Sequence, residues 1–400
     1  MNKMKKVILL LLMISVALQA VEPKRIILNL TETPESSMAV TFRFYEEIDT
    51  AYVHYVENAD DVKLHLRGDT LKVVPEIAYT DTTNEVAQYA CSAILKDLEI
   101  NTNYAYRVGD GKNWSPWYTF TTAEKGKKDF TMVYLGDPQW GYKTYLPRLY
   151  DEAIKTVPDA ALWYVAGDLV DYPYEDWQWD AYFEGAQKVF ANYPHIMAVG
   201  NHAYLWAYRD HRDKLPPTWQ PHVTQPENGP EGLEETCYYV DYQGVRFIIL
   251  NGNERLEEQS EWLKKVLKKN KNRWTIVGIH QGFYPCGWER DYPNYRALFM
   301  PLFEKYGVQL VLQGHDHAYT RTYPLKQGEI MDDPSKGVNY VISVSGAKQY
   351  PIKSKFDSLY VTKGEEGQQY FQTIDFSKDS LVYKSYTATG KCHDKLVIKK

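Results

Sequence analysis

Apolar and polar residues alternate with a period of two through the first quarter of the chain. Val40, Phe42 and Phe44 are separated by Thr41, Arg43 and Tyr45, the pattern of a strand with one face in a core and the other in water. Comparable short runs cover Arg25 to Leu30, Met38 to Tyr45, Ala51 to Val56, Leu71 to Val74, Gln88 to Leu95, Tyr104 to Gly109 and Trp117 to Thr121. Strands this short and this closely spaced predict an all-β sandwich.

The pattern changes near residue 129. Apolar runs of buried-strand length, Phe130 to Leu135, Leu162 to Ala166, Ile196 to Val199, Trp274 to Ile279 and Val308 to Leu312, now alternate with helical periodicity at Leu146 to Thr156, Asp176 to Asn192, Gln259 to Asn270 and Tyr295 to Tyr306. Such alternation predicts sheets covered by helices, an α/β domain. The polar stretch Thr122 to Lys128 reads as a linker, which divides the chain into a sandwich over 23–122 and an α/β domain over 129–400. Two irregular segments interrupt the second part. Ala203 to Thr236 holds five prolines, and Gln281 to Asn294 holds Tyr284, Trp288 and Arg290; loops of the first kind are usually functional, and both are expected to overhang a site.

Just after each apolar run of the second part stands a polar block: Gly136-Asp137-Pro138-Gln139, Gly167-Asp168-Leu169-Val170-Asp171, Gly200-Asn201-His202, Val277-Gly278-Ile279-His280 and Gly314-His315-Asp316-His317. Carboxylates, an amide and imidazoles at strand ends are where layered α/β folds assemble sites, because the strands hold the roots of the loops rigid. Any one histidine here could be an ordinary polar cap. A Gly-His-x-His pair has little structural use without a ligand to hold.

In this order the blocks closely resemble the calcineurin-like metallophosphoesterases, over roughly residues 127–390. The first segment, with Tyr106-Arg-Val-Gly-Asp and Trp114-Ser-Pro-Trp-Tyr-Thr-Phe, resembles the N-terminal domain of purple acid phosphatases; Leu98, Thr102, Tyr104 and Tyr106 resemble the fibronectin type III corner, where a tyrosine hydroxyl bonds back to the main chain. The resemblance implies a four-layer α/β/β/α sandwich behind a fibronectin III-like domain. It also implies two metal ions, one held by Asp137, Asp168 and His317, the other by Asp168, Asn201, His280 and His315. Asp168 would bridge ions about 3.5–4 Å apart. Imidazole with carboxylate suits iron, zinc or manganese and not calcium. His202 matches the family's acid or charge-stabilising histidine. Two positions depart from the pattern. Gln139 stands where many relatives have a histidine, offering at most a weak or water-mediated amide ligand. Asp171 stands where purple acid phosphatases carry the iron-binding tyrosine, and Gly-Asp-x-Val-Asp instead resembles the block of protein serine/threonine phosphatases, in which the second aspartate holds the histidine after the asparagine ligand.

Composition narrows the setting. Of 400 residues 44% are apolar, ample for sizeable cores. Lys3, Lys5 and Lys6, then Val7 to Leu18 and Gln19-Ala20, have the form of an export signal over residues 1–20 cleaved after Ala20. A secreted or periplasmic protein without stable membrane insertion is expected, since the apolar run is short for a span. The net charge of −6, about −9 once the three lysines of residues 1–20 are removed, argues against nucleic acid as the main partner. The lysines from Lys264 to Lys271 read as the solvated face of a helix. Cys91, in an alternating strand, reads as a buried apolar residue; among the other thiols, Cys237 with Cys286 is the favoured bridge in an oxidising compartment. The expected activity is hydrolysis of a small phosphorylated substrate by an acid phosphatase-like phosphomonoesterase. A phosphodiesterase or nucleotidase is the alternative, and a non-catalytic surface-binding protein is the alternative of another class.

Overall fold

The computed structural model describes residues 21–80, 87–204, 215 and 217–400. The expected export segment, residues 1–20, and part of the proline-rich loop, residues 205–214 and 216, lie outside the described residues. No described helix is long and apolar enough to cross a membrane.

Two sheets stack face to face. The larger has ten strands in the order Cys392–Lys399, Ser380–Thr387, Tyr370–Phe376, Phe130–Leu135, Leu162–Val165, His195–Met197, Lys24–Asn29, Met38–Phe44, Ala87–Leu95 and Glu76–Thr80. The smaller has seven, and its centre is the parallel set Val245–Leu250, Trp274–Ile279 and Leu310–Gln313. Parallel strands buried on both faces read as continuous apolar runs, which is why these runs are visible in the sequence. Helices Leu146–Thr156 and Asp176–Phe190 cover the outer face of the large sheet, while Leu256–Lys269 and Pro293–Tyr306 cover the small one. The result is the expected α/β/β/α sandwich. Leu146–Thr156 shows how each outer layer is specified: Pro147 sits in its first turn, and Leu146, Leu149, Tyr150 and Ala153 form the apolar stripe it buries.

The sandwich over 23–122 is built from the far end of the large sheet and a four-stranded sheet of Asp69–Val73, Ala51–Glu57, Asn103–Gly109 and Tyr118–Thr121. Its corner has the expected bond, the Glu99 amide donating to the Tyr104 hydroxyl at 2.9 Å. Three expectations need correction. The sandwich is not a separate body: Lys24–Asn29 pairs in parallel with His195–Met197, and the Leu30 amide donates to His195 O at 3.1 Å. One apolar cluster therefore runs from Leu28, Val40 and Phe42 through Tyr134 and Tyr164 to Ile276 and Leu312. Nor does Met38–Phe44 have a wet face, because every residue in it is buried. The proline-rich segment covers that face, with Thr224 Oγ1 on Thr41 Oγ1 at 2.6 Å and Arg43 Nη2 donating to Pro221 O at 3.1 Å. Buried Arg25 adds a second tie across the junction, donating to both carboxylate oxygens of Asp176 at 2.8 and 2.5 Å. The favoured disulfide is also absent: Cys237 and Cys286 are buried free thiols, as is Cys91, whose thiol burial pushes up to about 12.

Candidate metal centre

The five blocks converge at the carboxyl ends of parallel strands from both sheets, where the chain turns sharply to leave each strand. Asp137, Asp168, His315 and His317 all have positive φ, between 41° and 75°, a region that side-chain-bearing residues occupy at a cost of about 1–3 kcal/mol. The glycines of the blocks make room for them. A Cβ on Gly200 would lie 2.0 Å from Asp168 Oδ1, and one on Gly314 would lie 2.3 Å from Asp137 Oδ2.

Every imidazole at the centre is anchored through one nitrogen, which leaves the other facing inward. His280 Nδ1 donates to Ala166 O at 2.7 Å, His317 Nδ1 donates to Lys348 O at 3.0 Å, and His315 Nε2 lies 2.8 Å from the Tyr292 hydroxyl. The carboxylates are held the same way: Asp137 Oδ2 accepts from the His315 amide at 2.6 Å, and Asp168 Oδ1 accepts from the His202 amide at 2.9 Å. Their remaining oxygens, Asp137 Oδ1 and Asp168 Oδ2, are buried and have no well-aligned hydrogen-bond partner among the described residues. They face His280 Nε2 at 3.9 and 3.0 Å. With Nδ1 donating to Ala166 O, a neutral His280 presents a lone pair at Nε2, whereas in the bare cluster the facing carboxylates favour a proton there. Lone pairs converging in a buried space are costly unless a cation lies among them.

Two ligand sets result. Asp168, His280 and His315 offer atoms within 4.8 Å of one another, and so do Asp137, Asp168 and His317. Asp168 belongs to both. Asn201 joins the first set, its Oδ1 3.1 Å from His280 Nε2. Mixed nitrogen and oxygen donors fit iron, zinc or manganese. The electrostatics of the bare cluster point the same way. Burial pushes the Asp137 carboxyl up, to about 8, and the Asp168 charge adds to it. Burial opposes ionisation of Asp168 too, but His280 and His202 pull it below the carboxylate range. His280 rises to about 9 against burial because Asp168 and Asp137 face it, while burial pushes His317 down to about 3 with Lys348 adding to the fall. Without a cation only part of the cluster can stay charged, whereas bound cations would balance the carboxylates directly.

Beside the second set, His202 Nδ1 lies 2.8 Å from Asp171 O and 3.2 Å from Asp171 Oδ1. Gln139 is fully buried; its amide donates to Val170 O at 3.2 Å and accepts from Lys348 Nζ at 3.2 Å. Lys348 also donates to Asp171 Oδ1 at 2.9 Å. Neither Lys348 nor Tyr292 stands in a recognisable block, and no spacing in the sequence singles either out. Arg290, from the second irregular segment, reaches in to hold the His-x-His turn, donating to His315 O at 3.0 Å and to Asp316 Oδ1 at 2.8 Å.

Residues 130–319 match the family model for calcineurin-like phosphoesterases, and residues 23–122 match that for the purple acid phosphatase N-terminal domain. Residues 130–319 thus form a calcineurin-like phosphoesterase domain. Among known proteins this chain is 24% identical over 336 residues to phosphoenolpyruvate phosphatase of Allium cepa, covering 78% of this chain and 64% of that one. It is 23% identical over 334 residues to Fe(3+)-Zn(2+) purple acid phosphatase 12 of Arabidopsis thaliana, covering 79% and 67%. The chain thus spans slightly less than two thirds of the onion protein's length. In fold it is similar to purple acid phosphatase PPD1 from seeds of yellow lupin, Lupinus luteus, with a TM-score of 0.78 at 20% identity over 95% of this chain and 74% of that one.

Proposed function

We propose that this calcineurin-like phosphoesterase is an exported, two-metal phosphomonoesterase. The observation that carries the reading is the shared carboxylate: Asp168 serves both ligand sets, and its inward oxygen is buried without a well-aligned partner among the described residues. These residues would hold two ions, which when bound would supply positive charge for a phosphoryl group and activate water for attack on it. The protein's own part is orientation. Ala166, Lys348 and Tyr292 fix which nitrogen each ligand histidine presents, as partners behind metal ligands do. His202 holds its Nε2 3.9 Å from Asp168 Oδ2, outside both ligand sets and close enough to serve the leaving-group oxygen as acid or charge stabiliser. The onion relative's name supports a monoester as substrate. Exposed Trp140, Tyr172 and Trp288, next to Gln139, next to Asp171 and in the second irregular segment, suit contact with the organic part of an ester.

Export rests on the basic and apolar character of residues 1–20. A complete ligand set speaks against a non-catalytic binding protein, which has no use for one. The test is to measure metal content of the mature protein and screen it against phosphomonoesters and diesters. About two metals per chain with preferential monoester hydrolysis is expected. A protein that binds no metal, or that hydrolyses neither class when loaded, would overturn the reading.

A further inference from the structure

Lys348 lies in the loop after the strand Asn339–Ile342, and both ends of the residue are built into the centre. Its carbonyl anchors His317. Its ammonium has three N–H groups, of which two are taken, by Asp171 Oδ1 at 2.9 Å and by Gln139 Oε1 at 3.2 Å. The third neighbour, His202 Nε2, is 3.5 Å away, too far for a strong hydrogen bond. That same imidazole nitrogen lies 3.9 Å from Asp168 Oδ2, so the ammonium and the bridging carboxylate flank one point. The side chain keeps 21% of its surface exposed. A lysine free in solvent would have no such arrangement. One that merely neutralised Asp171 would not need Gln139 to aim it.

We propose that Lys348 is a phosphoryl-binding residue that selects dianionic phosphomonoesters, its ammonium taking a non-bridging oxygen beside the ligand set of Asp137, Asp168 and His317. This deepens the proposed function and rests on it. A dianionic monoester presents more charge and more free oxygens than a monoanionic diester, so a fixed cation at this point favours the monoester. Asp171 is paired to Lys348 and belongs to neither ligand set.

The test compares the parent with Lys348→Gln, which keeps a donor for Asp171 but loses the charge, and with Lys348→Arg, which keeps the charge. Three quantities are read on metal-loaded protein: affinity for inorganic phosphate by direct titration, metal retention against a chelator, and the ratio of kcat/KM for a phenyl monoester to that for a bis-phenyl diester. In Lys348→Gln, phosphate affinity and the ratio should each fall about 10- to 100-fold, the range of one charge-assisted hydrogen bond. Metal retention should hold or tighten, since a cation near the ions has been removed, and Lys348→Arg should recover most of the loss. An unchanged phosphate affinity, a parent that binds no phosphate, or metal lost in step with phosphate binding would overturn the proposal; the last outcome would make Lys348 a scaffold for His317. If Lys348→Gln fails to fold, a folded Lys348→Arg that has lost the parent's phosphate affinity overturns it as well. A parent that hydrolyses no ester but whose phosphate affinity still depends on Lys348 would sink the proposed function and the selection of substrates that rests on it, and leave only the phosphoryl-binding role of Lys348 standing.

Discussion

The Nδ1 nitrogen of His202 is closer to the main-chain oxygen of Asp171, at 2.8 Å, than to the carboxylate of that same residue, at 3.2 Å. A carbonyl can only accept, so Nδ1 carries the proton and Nε2 is turned toward Asp168 and Lys348. The sequence resemblance suggests the carboxylate as the orienting group, but the geometry shares that work with the backbone. His202→Ala should therefore slow an alkyl phosphate about 10²–10⁴-fold and a nitrophenyl phosphate much less, because only the poor leaving group needs help. Asp171→Asn, which keeps the shorter bond, should lose less, and should add little on top of His202→Ala. Equal losses on both esters in a double-mutant cycle would remove His202 from the leaving-group side.

Asp168→Asn should be the most damaging single change at the centre, because the residue contributes to both sets. Metal content is expected to fall at both sites and turnover by several orders of magnitude. A variant that holds one tightly bound metal and turns over normally would refute the shared-ligand reading.

Iron-loaded protein is expected to be colourless. Asp171, at the position where a tyrosine gives iron its purple absorption, donates no phenolate and is bonded to Lys348, while neighbouring Tyr172 is 45% exposed. A visible charge-transfer band would show that another tyrosine reaches the metal.

Glu235 provides a pH prediction away from the metals. Burial pushes its carboxyl from an ordinary value of 4.5 to about 8, with Glu227 and Glu234 adding to the rise, against one bond from the Gln225 amide at 3.1 Å. The folded state thus holds a proton that the unfolded chain releases earlier. The stability this contributes is complete below about pH 4.5 and is lost as pH rises through about 8. Glu235→Gln keeps the bond and cannot ionise, so its Tm should gain on the parent's between pH 5 and pH 8.5. A constant difference across that range would mean that the carboxyl ionises normally in the folded protein.

What the sequence discloses is what lies close together along the chain. The five blocks are readable because a carboxylate or imidazole, the glycine that makes room for it and the strand that aims it are neighbours. Helix Leu146–Thr156 was legible to the residue for the same reason, its apolar stripe and proline being local. Lys348 is not legible, because Gln139 and Asp171 reach it from loops about two hundred residues away and a single lysine in a loop is by default a surface group. The burial of Thr41 and Arg43 was hidden likewise, since the cover arrives from the proline-rich segment near residue 221. Cys237 and Cys286 mislead for the opposite reason: both stand near loops in the sequence, yet each is buried among apolar neighbours, a setting that accounts for them without a partner thiol.

The single parallel contact between Lys24–Asn29 and His195–Met197 bears on how small a folded protein of this kind can be made. A truncated gene starting at residue 129 would encode every ligand, yet its product would present His195–Met197 as a raw border, with Leu28's neighbours in the core open to water and the Asp176 carboxylate deprived of Arg25. Unpaired borders of that sort recruit other chains. The shortened product should accumulate as aggregate, so the first hundred residues act as the hem of the catalytic sheet and cannot be trimmed as a removable accessory.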